Sequence, residues 1–332
     1  MRAPALMAVA IGLAVALSLI AANHAGQIVA AITGAGWGVV LVIALHLPQT
    51  AASALGWRPL ILDARPSLPR LFRLRFVREA VNALLPVAQV GGDVVRARLL
   101  VQTGVPLAAS AASCTVDLTL EMASQAAFTL LGVAALFGGP RSQAAEGLAI
   151  GGAVAAVLVA SGFLAAQRLG LAAHLSRLLV RLGERARWPA LAGLQGLGQA
   201  LERIYADPGR LAASGAAHLT SWLLGVLETG AGLWALGLHP SWREALVVES
   251  LGQVVRALGF AIPGALGVQE GGYVLICGLF GIAPAQALAL SLIRRVRELA
   301  LGAPGLMLWQ WSELRQARPS VLLGAVKSQE AR

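Results

Sequence analysis

Charge is scarce in this sequence: 13% of residues are Asp, Glu, Lys or Arg against 57% hydrophobic, a balance that no soluble domain needs to fill a core. Aromatics are also few, at 5%. Both cysteines, Cys114 and Cys277, lie in apolar segments without a CxxC motif or a histidine at ligand spacing. That argues against a disulfide framework or a zinc site, and they read as small core hydrophobes. No segment alternates with a period of two over any length, which argues against a transmembrane barrel. A nucleotide-phosphate loop and paired His/Asp motifs are missing too, so no cofactor and no metal is expected.

What is present is Ala, Gly and Leu in long apolar runs, with a mean hydropathy of +0.73. Small residues let helices approach closely where lipid tails give them no hydrophobic reason to associate. The expectation is an all-α polytopic membrane protein. The net charge of +10 comes from arginines lying between apolar runs, with no aromatic-interleaved basic patch. Membrane topology and anionic lipid therefore explain it better than nucleic acid.

Runs of about 20 apolar residues, enough to cross a bilayer, fall near 3–22, 36–56, 105–137, 147–167, 212–238 and 285–312. The first could be a signal peptide, but its length favours a retained span. Arginine-rich segments after Trp57, across 168–210 and at the C-terminal tail read as cytoplasmic, and both termini with them. The arithmetic then requires 79–104 and 245–282 to enter the membrane without crossing it. About six spans plus two re-entrant broken-helix hairpins result, or eight if the hairpins are counted. Within the connector, Leu171 to Trp188 has the pattern of an interfacial amphipathic helix, and Arg70 to Arg78 reads as a similar elbow.

The two hairpins share a skeleton. "NALLPVAQVGGD" aligns with "GFAIPGALGVQE", pairing Pro86 with Pro263 and Asp93 with Glu270. Further on, with one inserted residue, "GVPLAAS" matches "GIAPAQA", and counting eleven from Pro106 and from Pro284 reaches Asp117 and Arg295. Repeats over about 79–137 and 245–312, placed in opposite orientations by the topology, follow the plan of secondary transporters with a site near the midplane. Pro86, Gly91, Gly92, Pro263, Gly264 and Gly267 are the candidate hinges.

Asp93 and Glu270 read either as helix N-caps or as groups that bind a coupling proton or cation. "TVDLTLE" puts Asp117 and Glu121 on one face, and "SLIRRVRE" puts Arg294, Arg297 and Glu298 on one face with Arg295 beside it. Each such charge at mid-bilayer costs ~2.5 to 3.5 kcal/mol on insertion scales, so they face protein or water. Two uses remain open: ion pairs that lock the halves, with Asp117 to Arg295 as the expected pair, and arginines that grip an anionic headgroup. Arg96, Arg256, Arg294, Arg295, Arg297, Asn82 and Gln269 are the substrate-binding candidates; Asp93, Asp117, Glu121, Glu270 and Glu298 are the coupling candidates. Arg78 reads equally as an interface anchor.

"NALLPVAQVGGDVVRARLL", "PGALGVQEGGYVL" and "ALSLIRRVRELALGAPGLMLW" together resemble the transmembrane flippase region of lysylphosphatidylglycerol synthases, most closely those members associated with hopanoid biosynthesis. The resemblance implies an inner-membrane protein that moves a polar or anionic lipid between leaflets, with the bilayer and that lipid as its partners. About 20 residues follow the last expected span, so the synthase's aminoacyl-transfer domain is not expected here. "VAQVGGD" also departs from the family pattern, which has more glycine before the pair. A membrane-embedded transferase, or an ion or small-solute transporter on the same plan, are the alternatives. Oligomeric state is left open.

Overall fold

The computed structural model describes residues 25–85, 91–137, 193–259, 262 and 265–330, together with helical positions 147, 150, 151, 154, 157, 158, 161, 162 and 165. The expected span at 3–22 and the amphipathic stretch at 171–188 lie outside the described residues, and the span at 147–167 is represented by those nine positions. Every regular element among the described residues is helical. In chain order they are α1 (Ala25–Ala35), α2 (Trp37–Trp57), a single 3-10 turn (Arg58–Leu60), α3 (Leu68–Leu84), α4 (Gly91–Val101), α5 (Leu107–Phe137), α6 (Leu197–Tyr205), α7 (Pro208–Ala235), α8 (Trp242–Leu258), α9 (Val268–Gly278) and α10 (Pro284–Glu330).

The segments Trp37–Leu60 and Leu107–Phe137 are long and apolar enough to cross a membrane. α7, at 28 residues, and α10, at 47, cover the other two expected spans in these regions. α10 runs well past 312, where the apolar run ends. α4 and α9, by contrast, have 11 residues each. At 1.5 Å per residue that is about 16 Å, roughly half of a ~30 Å hydrocarbon layer.

α3 packs along α4, and α8 along α9, so each short helix is the second arm of a helical hairpin. The first hairpin starts earlier than the sequence suggested. Ser67 precedes α3, Pro69 occupies its first turn, and Leu71, Leu74, Val77 and Val81 bury one face. Arg70 to Arg78 is therefore inside an arm of the hairpin, and is not an interfacial elbow.

A turn with a left-handed glycine leads from each short helix into a long one: Gly104 (φ 93°) before α5 and Gly281 (φ 70°) before α10. Only a residue without Cβ adopts that conformation without strain. Each long helix then crosses the first arm of the other hairpin, α5 on α8 and α10 on α3. Glycines on the long helices permit the approach. A Cβ at Gly132 would stand 1.7 Å from the Ser250 hydroxyl, and one at Gly305 would stand 2.5 Å from the Ala80 methyl. α2 and α7 pack against each other between the hairpins.

The distribution of polarity is the reverse of a soluble protein's. Trp37, Met307 and Leu275 are 85%, 70% and 63% exposed, while Arg96 and Asp117 are 0% exposed. Large apolar side chains outside and charges within are what a hydrocarbon solvent selects.

Candidate functional site

Two clusters of buried charge lie beneath the hairpins. The first is built on Asp117 in the middle of α5. Its Oδ2 accepts from Arg75 of α3 at 2.8 Å and from Arg96 of α4 at 2.5 Å, and its Oδ1 lies 2.8 Å from Nε2 of His218 on α7. One turn along α5, Glu121 accepts from Arg75 at 2.6 Å and from Arg78 at 3.1 Å. Asp93, in the first turn of α4, lies 3.2 Å from Arg78 and 2.8 Å from Arg96. The Arg96 guanidinium also stands 4.7 Å from the centre of the Trp57 ring, a cation–π contact that needs no further charge. A helix hairpin thus brings three arginines to one face, and the long helix answers with carboxylates.

In the second cluster the signs are exchanged. The long helix α10 supplies Arg294, Arg295 and Arg297, and the carboxylates come mostly from its neighbours. Arg294 donates to Glu249 of α8 and to Thr229 of α7, with its guanidinium 5.5 Å from the Tyr273 ring. Arg297 donates to Glu228 of α7. Glu298 accepts from Arg256 of α8 and from Arg295 at 3.2 Å. Glu270, at the start of α9, takes the Gly267 amide at 2.7 Å and lies 3.4 Å from Arg295. Gly267, at φ 77°, is in the left-handed region, so the second arm starts at a residue that must be glycine.

α2 joins the clusters. His46 Nδ1 is 3.0 Å from Glu228 and its Nε2 is 3.5 Å from Glu79 of α3. Gln49 donates to Glu228 at 2.5 Å, and Thr50 to Glu79 at 2.8 Å.

All five arginines expected to bind substrate therefore lie in the clusters, each already engaged with a carboxylate. The expected pair of Asp117 with Arg295 does not form. Asp117 is satisfied by Arg75, Arg96 and His218, and Arg295 by Glu270 and Glu298. Equivalent positions in two similar hairpins occupy separate clusters, and each hairpin provides the counter-charge for its own long helix. Arg78 is buried in the first cluster, not anchored at an interface.

Asn82 braces the first hairpin: its Oδ1 accepts from the Gly92 amide at 2.8 Å, and a Cβ at Gly92 would fall 2.3 Å from the Arg78 carbonyl oxygen. Gly91 opens α4. Gln269 is buried beside Glu270, with its Oε1 unpartnered among the described residues. Pro86, Pro263 and Gly264 lie outside the described residues.

Arg75, Glu79, Glu228, His46 and His218 did not figure among the expected site residues. Glu228 in "LLGVLETG", His46 in "IALHLP" and His218 in "AAHLTSW" each interrupt an apolar run, and a lone ionisable group inside a span is itself a signal. Arg75 was concealed in an arginine-rich stretch that reads as a cytoplasmic flank.

Span-length apolar helices, outward-facing hydrophobes and an ion-paired interior define an α-helical membrane protein. The family model for the lysylphosphatidylglycerol synthase TM region matches residues 6–305. The chain belongs to that family, and so to a group of membrane proteins concerned with lipid. No curated protein and no solved structure matches it.

Proposed function

We propose that the protein is a lipid transporter of the bacterial inner membrane, with both termini cytoplasmic, that moves a lipid bearing a polar or anionic headgroup between leaflets. Family membership supports the lipid. The observation that carries transport is the pair of hairpins with half-length second arms, closed over charge clusters in a molecule whose outside is apolar. The hairpins are re-entrant in this reading, and the halves carrying them are inverted repeats. The matching left-handed glycines and the reciprocal crossings of α5 and α10 support that symmetry. Rocking one half against the other exposes the interior to each leaflet in turn.

Because the arginines are already paired, a phosphate must displace a carboxylate, and the second cluster is where that is easiest. The Arg256 and Arg295 side chains are 27% and 15% exposed, and Arg295 makes the long contacts of 3.2 and 3.4 Å. Nε of Arg294, without a partner among the described residues, leaves a donor for a headgroup there, as Nε of Arg75 and of Arg96 do in the first cluster. A neutral hopanoid makes little use of guanidinium groups, so the likeness to hopanoid-associated members reads as metabolic context and not as cargo.

The test is reconstitution into vesicles with headgroup-labelled phosphatidylglycerol. Accelerated exchange between leaflets is the expected result. Leakage of ions without lipid exchange would replace this reading with a solute pathway, and a new lipid species in the mass spectrum would replace it with a transferase.

A further inference from the structure

The two clusters do not balance in charge. Among the described residues they contain seven arginines, Arg75, Arg78, Arg96, Arg256, Arg294, Arg295 and Arg297. Against them stand eight carboxylates: Glu79, Asp93, Asp117, Glu121, Glu228, Glu249, Glu270 and Glu298. A net negative charge left in a low-dielectric interior is costly, and the two histidines are the remaining groups that can neutralise it.

The geometry distinguishes them. His218 meets one carboxylate, Asp117, through one ring nitrogen, and a neutral imidazole donating that single N–H is enough. His46 meets a carboxylate at both nitrogens, Glu228 at Nδ1 and Glu79 at Nε2. A neutral ring that donates to Glu228 leaves the Nε2 lone pair facing the Glu79 oxygen at 3.5 Å, an unfavourable contact that a second proton turns into an attraction. Either the ring is an imidazolium or the proton sits on Glu79 and is shared with Nε2; in both forms this trio holds one proton more than a neutral ring between two carboxylates.

We propose that His46, between Glu79 and Glu228, is a proton-binding site whose occupancy fastens the two hairpin halves together, and that its release is coupled to lipid movement. The coupling rests on the transport reading above; the proton site does not. Glu79 belongs to the first hairpin's leading arm, whereas Glu228 is held by Arg297 of α10, so His46 bridges the clusters beside the contacts of Thr50 with Glu79 and Gln49 with Glu228. The His46 side chain is 22% exposed and that of Glu79 27%, so neither is sealed in the protein interior.

Charged groups on elements packed against α2 have partners of their own, among them Arg78 with Asp93 and Glu121, and Arg295 with Glu270 and Glu298. On α3, Arg75 is 3.6 Å from Glu79 and is shared with Asp117 and Glu121 of α5. On α10, Arg294 is held by Glu249 and Arg297 by Glu228. On α7, His218 is turned to Asp117, and Arg58 sits in the 3-10 turn at the far end of α2. Pro48, two residues beyond His46, cannot donate to the carbonyl one turn back, which places a weak point in α2 at the site. In one cycle a proton enters from one aqueous face to form the N–H bond and leaves to the other, moving one positive charge.

Two measurements on the full chain in phosphatidylethanolamine and phosphatidylglycerol vesicles test this. In the first, histidine is labelled with 15N, and the resonance lost in His46→Gln identifies the ring. Imidazolium signals in mild acid that convert to neutral ones in mild alkali are expected. A ring that stays neutral throughout, or one that never gives up its proton, overturns the site. Glu79→Gln, which keeps the fold's shape and removes one carboxylate, should move that conversion to lower pH; an unmoved titration also overturns it.

In the second, exchange of headgroup-labelled phosphatidylglycerol is followed under an imposed pH gradient. The wild type should accumulate labelled lipid in one leaflet, with a ceiling of about tenfold in the leaflet ratio per pH unit for one coupled proton, and His46→Gln should exchange lipid at a rate indifferent to the gradient. A gradient response that survives in His46→Gln overturns the coupling. Absence of lipid exchange in the wild type under any condition refutes the transport reading, and the proton site is then decided by the spectra.

Discussion

The two hairpins reach the same architecture with opposite assignments of charge. Beneath the first, the long helix α5 carries the carboxylates and the hairpin carries Arg75, Arg78 and Arg96. Beneath the second, α10 carries the arginines, and Glu249 and Glu270 sit on the hairpin. The clusters also differ in closure. Asp117 is fully enclosed by three donors, whereas Glu298 shares Arg256 and Arg295, whose side chains are 27% and 15% exposed. Equal backbone plans therefore do not require equal electrostatics. They require that each buried charge find a partner within reach, and a tight cluster stiffens while a looser one retains exchangeable contacts.

This contrast can be broken most severely at Asp117. Asp117→Ala leaves Arg75 and Arg96 buried without their shared carboxylate, and a loss of about 3 to 5 kcal/mol is expected for stripping one partner from a buried ion pair. Thermal melting in detergent, or failure to recover monodisperse protein, reads this out. Arg295→Gln, in the looser cluster, should cost well under half as much by the same measurement. Because the two groups do not touch, their losses should add, and the double exchange Asp117→Arg with Arg295→Asp should rescue nothing. Recovery of stability or transport in that double variant would show contact between the clusters in another state of the protein.

Next in size is the brace of the first hairpin. Gly92→Ala drives a methyl against the Arg78 carbonyl and Asn82, and overpacking of this kind costs about 1 to 3 kcal/mol. Alanine at the aligned position of the second hairpin, Gln269→Ala, should lower the melting temperature less, since its buried Oε1 makes no bond among the described residues. The smallest effect is at Ser241, whose hydroxyl accepts from the Glu244 amide while Glu244 reaches back to the Ser241 amide. Ser241→Ala removes one half of that reciprocal cap, and about 1 kcal/mol is expected, visible as a modest decrease in melting temperature.

Class and motif positions were legible in the sequence because they rest on local signals. Apolar run length reports α2 and α5, and the Gly-Val-Pro and Gly-Ile-Ala-Pro turns report where α5 and α10 begin. The acids seven residues beyond each proline report α4 and α9. Pairing was not legible. Aligning Asp117 with Arg295 paired two positions by count alone, whereas Asp117 is held by Arg75, Arg96 and His218 and Arg295 by Glu270 and Glu298. The start of the first hairpin was missed because Arg75 and Arg78 look like the basic flank of a span until their carboxylate partners, distant in sequence, are known. His46 was missed for a related reason: a single histidine acquires meaning only when acids from two other helices converge on it.

α10 runs for 47 residues, with the arginines of the second cluster in its first third and Pro304 and Pro319 beyond them. From Arg295 to Glu330 it extends on the order of 50 Å at 1.5 Å per residue. A tilt of about 10° pivoting at the second cluster would swing the far end through roughly 9 Å for a rod of that length. The helix is in effect a pointer: rearrangements of a few tenths of an ångström among the ion pairs would be magnified at its tip into displacements that a pair of attached probes can read.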